Sequence, residues 1–181
     1  MMQDIFSYLE SHHNLVSAWT AIAALFVSVV SIIFTIRNMK LQRVHYRKSV
    51  LPIAHISVAD YENAISVRLR NDGVGPMIID RLLVTGDGKC LDSVIEFMPD
   101  LPDGLYWTHF VGQIAGSALA ADKTITLVSF EGDLKDEKFV KAKRRIRQAL
   151  AKLSVTVEYH NIYDETMPPE TRALDWFGRE A

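Results

Sequence analysis

The residues best equipped for chemistry in this chain fall in short glycine, histidine and tyrosine patterns. Gly86-Asp87-Gly88-Lys89 ends in the Gly-Lys pair of a phosphate-binding loop. Cys90 comes next, where such a loop places Ser or Thr, and the glycine spacing is wrong for it. Gly73-Val74-Gly75 has the look of a dinucleotide fingerprint, but no helical pattern opens after it, so it reads as a turn. His55, His109 and His160 are scattered without metal-ligand spacing. Cys90, the single cysteine, sits in no recognisable nucleophile motif and excludes an intrachain disulfide. Tyr159, His160, Tyr163 and Asp164 cluster near an expected strand end, either lining a pocket or forming a strand-to-turn junction. No catalytic residue, cofactor site or metal site is expected from these patterns, and the chain does not read as an enzyme.

Two groups of basic residues carry a different chemistry, the attraction of anions. Arg37, Lys40, Arg43, Arg47 and Lys48 place five positive charges within twelve residues. Lys141, Arg144 and Arg145 belong to a second group, together with Lys138, Lys143, Arg147 and Lys152. The net charge of −2 argues against a generally basic nucleic-acid binder, so these are local surfaces. Anionic lipid headgroups or an acidic protein are the expected partners, and nucleic acid is not.

The first group lies just after the most informative element. Leu15 to Ile36 is 22 residues without a charge, seventeen apolar and five Ser or Thr. At 1.5 Å per residue such a helix is about 33 Å long, enough for a hydrocarbon core of roughly 30 Å. The preceding residues, 1–14, hold Asp4 and Glu10 and no Lys or Arg, unlike a cleaved signal peptide. The helix is therefore expected to remain as a single-pass anchor in the inner (plasma) membrane. The charges at 37–48 then place the N-terminus outside and the C-terminal domain in the cytoplasm. The reduced state expected of Cys90 agrees. Within the anchor, Ser17, Ala21, Ala24, Ser28, Ser31 and Thr35 recur at spacings of 4 and 3. Such a stripe lets helix backbones approach closely, which points to a homo-oligomer or a partner helix. The basic segment 37–51 continues the helix until Leu51-Pro52 ends it.

From residue 52 to 181 the pattern changes to period two. Ala54, Ile56 and Val58 alternate with polar residues, as do Ile65, Val67 and Leu69. Further strands are expected over Met77 to Thr85, Tyr106 to Ile114, Thr124 to Phe130 and Leu153 to Tyr159, with Arg172 to Phe177 closing the sheet. Cys90 to Met98 fits either a strand or a short helix. One helix is expected, Lys135 to Leu153, with Phe139, Ala142, Ile146, Ala149, Leu150 and Leu153 on one face and the second basic group on the remainder. Asp133 and Asp136 suit its positive N-terminus. The expected fold class is mainly β: an antiparallel sandwich with one inserted amphipathic basic helix.

The stretch Asn71-Asp72-Gly73-Val74-Gly75-Pro76, after an alternating strand, resembles the N-x-G-x-G-P turn of bacterial immunoglobulin-like domains. Single-pass bacterial membrane proteins of unknown function carry such domains on the cytoplasmic side. The resemblance covers about thirty residues, implies an immunoglobulin-like sandwich and transfers no site. The expected function is a non-enzymatic, membrane-tethered interaction or sensor module; the alternative is a membrane-perturbing effector (toxin or defence component) that oligomerises through its anchor, with an enzyme whose site no motif reveals ranked below both.

Overall fold

A computed structural model describes residues 2–179, with the side chains of residues 2–14, Val16 and residues 43–48 outside the described set. It divides into two compact units, Met1–Lys48 and Ser49–Ala181.

The first unit is the helix α1, Met2–Ser49. Its stretch Ser17–Gln42 is long and apolar enough to cross a membrane. Trp19, Leu25, Phe26 and Phe34 are each about two-thirds exposed. Residues 2–14 of the expected tail and 37–49 of the basic segment are parts of this same helix, which stops two residues before Leu51. Proline disfavours helix at the residue before it, which accounts for the stop ahead of Pro52.

The second unit is mainly antiparallel β. Its strands are β1 (Ala54–Tyr61), β2 (Ala64–Asn71), β3 (Met77–Gly86), β4 (Lys89–Leu91), β5 (His109–Phe110), β6 (Ala118–Leu119), β7 (Thr124–Glu131), β8 (Ser154–His160) and β9 (Glu170–Ala173), with the helix α2 (Glu137–Leu150) between β7 and β8. One sheet has the order β1-β2-β7-β5; the other has the order β4-β3-β8-β9, with β6 also paired to β3. Ile56, Val67, Leu69 and Phe130 of the first sheet and Ile79, Val84, Val155 and Val157 of the second are completely buried in one shared core. Arg172 of β9 donates to the Ile56 carbonyl of β1 at 2.6 Å, joining the two sheets along one edge.

The alternating runs became strands because each buries one face. The region 106–114 did not: only His109–Phe110 pairs, with β7. Pro102, Gly104 and Gly112 surround it, and it runs along the sheet edge as a loop. Residues 90–98 divide between the two expected forms, a short strand and the 3-10 turn Val94–Phe97. The closing strand lies earlier than 172–177, and Asp175–Gly178 is a 3-10 turn. Asp87 and Gly88 both take positive φ, as a tight two-residue hairpin turn between β3 and β4 requires.

Val50–Ile53, where the chain joins the domain, are clamped by the turn 71–76. Asp72 N–H donates to Ile53 O, and Val74 N–H donates to Leu51 O. A Cβ on Gly75 would lie 1.8 Å from the Val50 carbonyl oxygen, and one on Gly73 would lie 2.3 Å from that of Leu51, so only glycine fits at either position. Asn71 is fully buried and holds the turn together. Its amide donates to Gly75 O at 2.8 Å and to Leu119 O at 3.1 Å, while its Oδ1 accepts from Gly73 N–H and Ile53 N–H. The motif is a structural staple. Beside it, the exposed Arg70 guanidinium hydrogen-bonds Asp72 and holds its carboxyl below the usual carboxylate range.

Candidate functional site

The structure separates most of the residues singled out for chemistry. His55 lies on β1 and His109 on β5, opposite edges of one sheet, while His160 lies in the other sheet. Among the described residues, no group of three His, Cys, Asp or Glu is placed to hold a metal ion. Cys90 is free and exposed on β4. Gly86-Asp87-Gly88-Lys89 belongs to the β3–β4 hairpin, and no helix opens after it to receive a phosphate.

The cluster at 159–164 resolves into a turn. Tyr159 is buried, with its hydroxyl accepting from Ala54 N–H at 3.3 Å. The buried Asn161 organises the turn 161–165, accepting from Tyr163 N–H and Glu165 N–H and donating to the Glu165 carboxylate at 2.9 Å. His160 Nδ1 lies 2.7 Å from Asp80, and its Nε2 lies 3.8 Å from Asp164. Asp80 is the extra residue of a β-bulge, since Ile79 pairs Tyr159 and Arg81 pairs Glu158. A bulge re-aims its side chain, and this one delivers a carboxylate to a histidine 80 residues away. Alternation alone puts Asp80 on a strand face and carries no sign of that partnership.

The second basic group is where the geometry builds a surface. α2 is capped by Asp136, whose carboxylate accepts from Lys138 N–H at 2.8 Å. Phe139, Ala142, Ile146 and Leu150 are buried, at the spacing of an amphipathic helix. Phe139 stacks on Phe130 with ring centroids 5.0 Å apart. Gly132 allows this, because a Cβ there would meet the Phe139 ring at 2.3 Å.

The solvent-facing cations of α2 are fewer than the sequence pattern suggests. Lys143 turns inward: its ammonium lies 2.8 Å from Asp60 and also donates to the carbonyls of Tyr61 and Glu62. Arg147 lies 2.7 Å from the other Asp60 oxygen. These two fasten α2 to the end of β1 and to the β1–β2 hairpin. Lys141, Arg144 and Arg145 are exposed, with Lys141 3.3 Å from Glu137 one turn earlier. Helix, hairpin and these three cations lie at the opposite end of the sheets from Val50–Ile53. The eight residues of β1 separate those ends by about 26 Å.

The chain matches no family model, no curated protein and no solved structure. The functional reading therefore rests on the geometry.

In α1, Ser17, Ala21, Ala24, Ser28, Ser31 and Thr35 are exposed along one stripe, and Arg37 and Lys40 are exposed beyond it. The side chains of Arg43, Arg47 and Lys48 lie outside the described residues. Three stripe hydroxyls bond to their own helix at 2.8 Å: Ser28 to Ala24 O, Ser31 to Val27 O and Thr35 to Ser31 O. Their O–H donors are used without a second helix, so across helices these hydroxyls are left as acceptors and the stripe offers mainly close backbone approach.

Proposed function

We propose that this chain is a membrane-anchored, non-enzymatic interaction module. Its single-pass helix holds an immunoglobulin-like β-sandwich at the cytoplasmic face of the inner membrane, and the sandwich presents α2 to an anionic partner. The observation that carries this reading is the division of α2: Lys143 and Arg147 are consumed in fastening the helix, while Lys141, Arg144 and Arg145 take no part in that fastening, at the end of the domain far from residues 50–53. Two antiparallel sheets around one core, with the staple at Asn71–Pro76, support the immunoglobulin-like assignment.

Two measurements test the proposal. A reporter enzyme fused after Ala181 is expected to be active only in the cytoplasm; activity on the other side of the membrane overturns the orientation. A photo-crosslinking residue at position 144, in cells, is expected to trap a discrete protein. That adduct should vanish in the charge-reversed control K141E/R145E, and an adduct indifferent to those charges overturns the role of α2.

A further inference from the structure

A recess of about 580 Å³ runs along the second half of α2. One wall is formed by Phe97, Met98 and Pro99, at the end of the 3-10 turn, and the floor by Ala149 and Phe177. Arg145 and Lys152 flank it, both exposed. Arg145 stands on α2 and Lys152 in the turn two residues past its end. A second recess of about 470 Å³ begins at the same Met98 and Pro99 and continues past Leu105 and Tyr106 to Phe110 on the edge strand β5. Tyr106 is 80% exposed and Phe110 is 56% exposed. The two recesses share Met98 and Pro99 in their walls, the first cationic beside α2 and the second aromatic beside β5.

We infer that together they make one track, the docking site of an acidic segment of a partner protein, with carboxylates against Arg145 and Lys152 and large apolar side chains on Met98, Tyr106 and Phe110. The inference rests on the interaction-module reading and assigns its surface and partner chemistry. Charge complementarity selects the occupant. The exposed cations Lys138, Lys141, Arg144 and Arg145 share α2 with a single acidic residue, Glu137, which lies beside Lys141; Lys138 also reaches the Asp103 carbonyl, and Lys152 adds a further charge two residues past the helix end. Asp100 lines the β5 half of the track, where it repels a continuous phosphate backbone but tolerates an apolar segment. An open track joining apolar pockets to a charged rim is the form of a peptide groove, whereas a small ligand is buried on most sides.

The test uses the full-length chain in nanodiscs of neutral lipid. The probe is a fluorescein-labelled synthetic peptide with a Glu-rich half joined to a Leu- and Phe-rich half, read by fluorescence anisotropy. Saturable binding is expected, weakened roughly tenfold by R145E/K152E through lost charge complementarity. Ala149→Trp, which fills the floor without touching a charge, should weaken it by a similar factor. Circular dichroism of each variant confirms the fold, and Met98→Glu replaces any variant that fails that check. An all-Glu peptide that binds as tightly as the probe overturns the apolar half of the site. Equal binding by the charge-reversed variant overturns the cationic half. Preferential, Arg145-dependent binding of single-stranded DNA or of phosphatidylglycerol nanodiscs overturns the partner class. If the peptide fails while the crosslink at position 144 persists, the groove is wrong and the module reading stands; loss of both overturns both.

Discussion

Asn71 shows how much of this domain depends on single buried polar side chains. Four hydrogen bonds converge on it from three chain segments, and none of its polar atoms meets solvent. Asn71→Ala leaves two carbonyls and two amides short of a partner, at about 1–3 kcal/mol for each group that water cannot reach. Urea denaturation of the variant should therefore show a loss of about 3 kcal/mol or more, with the junction at 50–53 becoming protease-sensitive. Its neighbour Asp72 gives a pH signature. The hydrogen bond from Arg70 lowers the folded pKa of Asp72 below its unfolded value. Its contribution to stability is thus complete above the unfolded pKa, about 3.9, and is lost as pH falls through the lower folded value. Asp72→Asn should flatten the acid limb of a stability profile below about pH 4 and leave the neutral plateau pH-independent. An unchanged acid limb would show that the pair contributes nothing there.

At the scale of elements, α2 is held by burial and by one ion cluster. Asp60 receives Lys143 and Arg147, on side chains only about a tenth to a fifth exposed. Removing the shared carboxylate takes the counter-charge from two part-buried cations, so Asp60→Ala should cost about 3 kcal/mol. Lys143→Met should cost less, because Asp60 keeps Arg147; chemical denaturation of the two variants gives the order. Gly132→Ala drives a methyl group into the Phe139 ring and should cost about 1–3 kcal/mol by overpacking, with near-ultraviolet circular dichroism reporting the disturbed aromatic stack. If Gly132→Ala were neutral, the stack of Phe139 on Phe130 would not be what seats the helix.

At the scale of the whole molecule, the exposed stripe of α1 bears on whether copies assemble. The small stripe is exposed, and its Ser28, Ser31 and Thr35 hydroxyls donate within the helix. Association through it would therefore depend on side-chain size and not on hydroxyl chemistry. Ala24→Leu with Ser28→Leu should abolish self-association of the full-length protein in nanodiscs, measured by energy transfer between labelled copies, while Ser28→Ala should leave it unchanged. The opposite pattern would assign the hydroxyls a cross-helix role. Assembly that depends on the stripe would also raise the reading of a membrane-perturbing effector above that of a plain tether.

Elements with one-dimensional causes were legible in the chain itself. An uncharged run of 22 residues dictates a helix that water cannot solvate, and alternation dictates a strand with one buried face, so α1 and the strands β1, β2, β3, β7 and β8 can be placed from the residues alone. The Asn71–Pro76 turn was legible as a turn, though not as the clamp on residues 50–53. Partnerships between residues distant in sequence required tertiary structure. Periodicity assigned Lys143 and Arg147 to the solvent face of α2, and Asp60, more than eighty residues away, draws them inward. The bulge at Asp80 and the track from Arg145 to Phe110 have the same origin: each exists only where separate elements meet, and a pattern read along one element holds no information about the charge or the gap supplied by another.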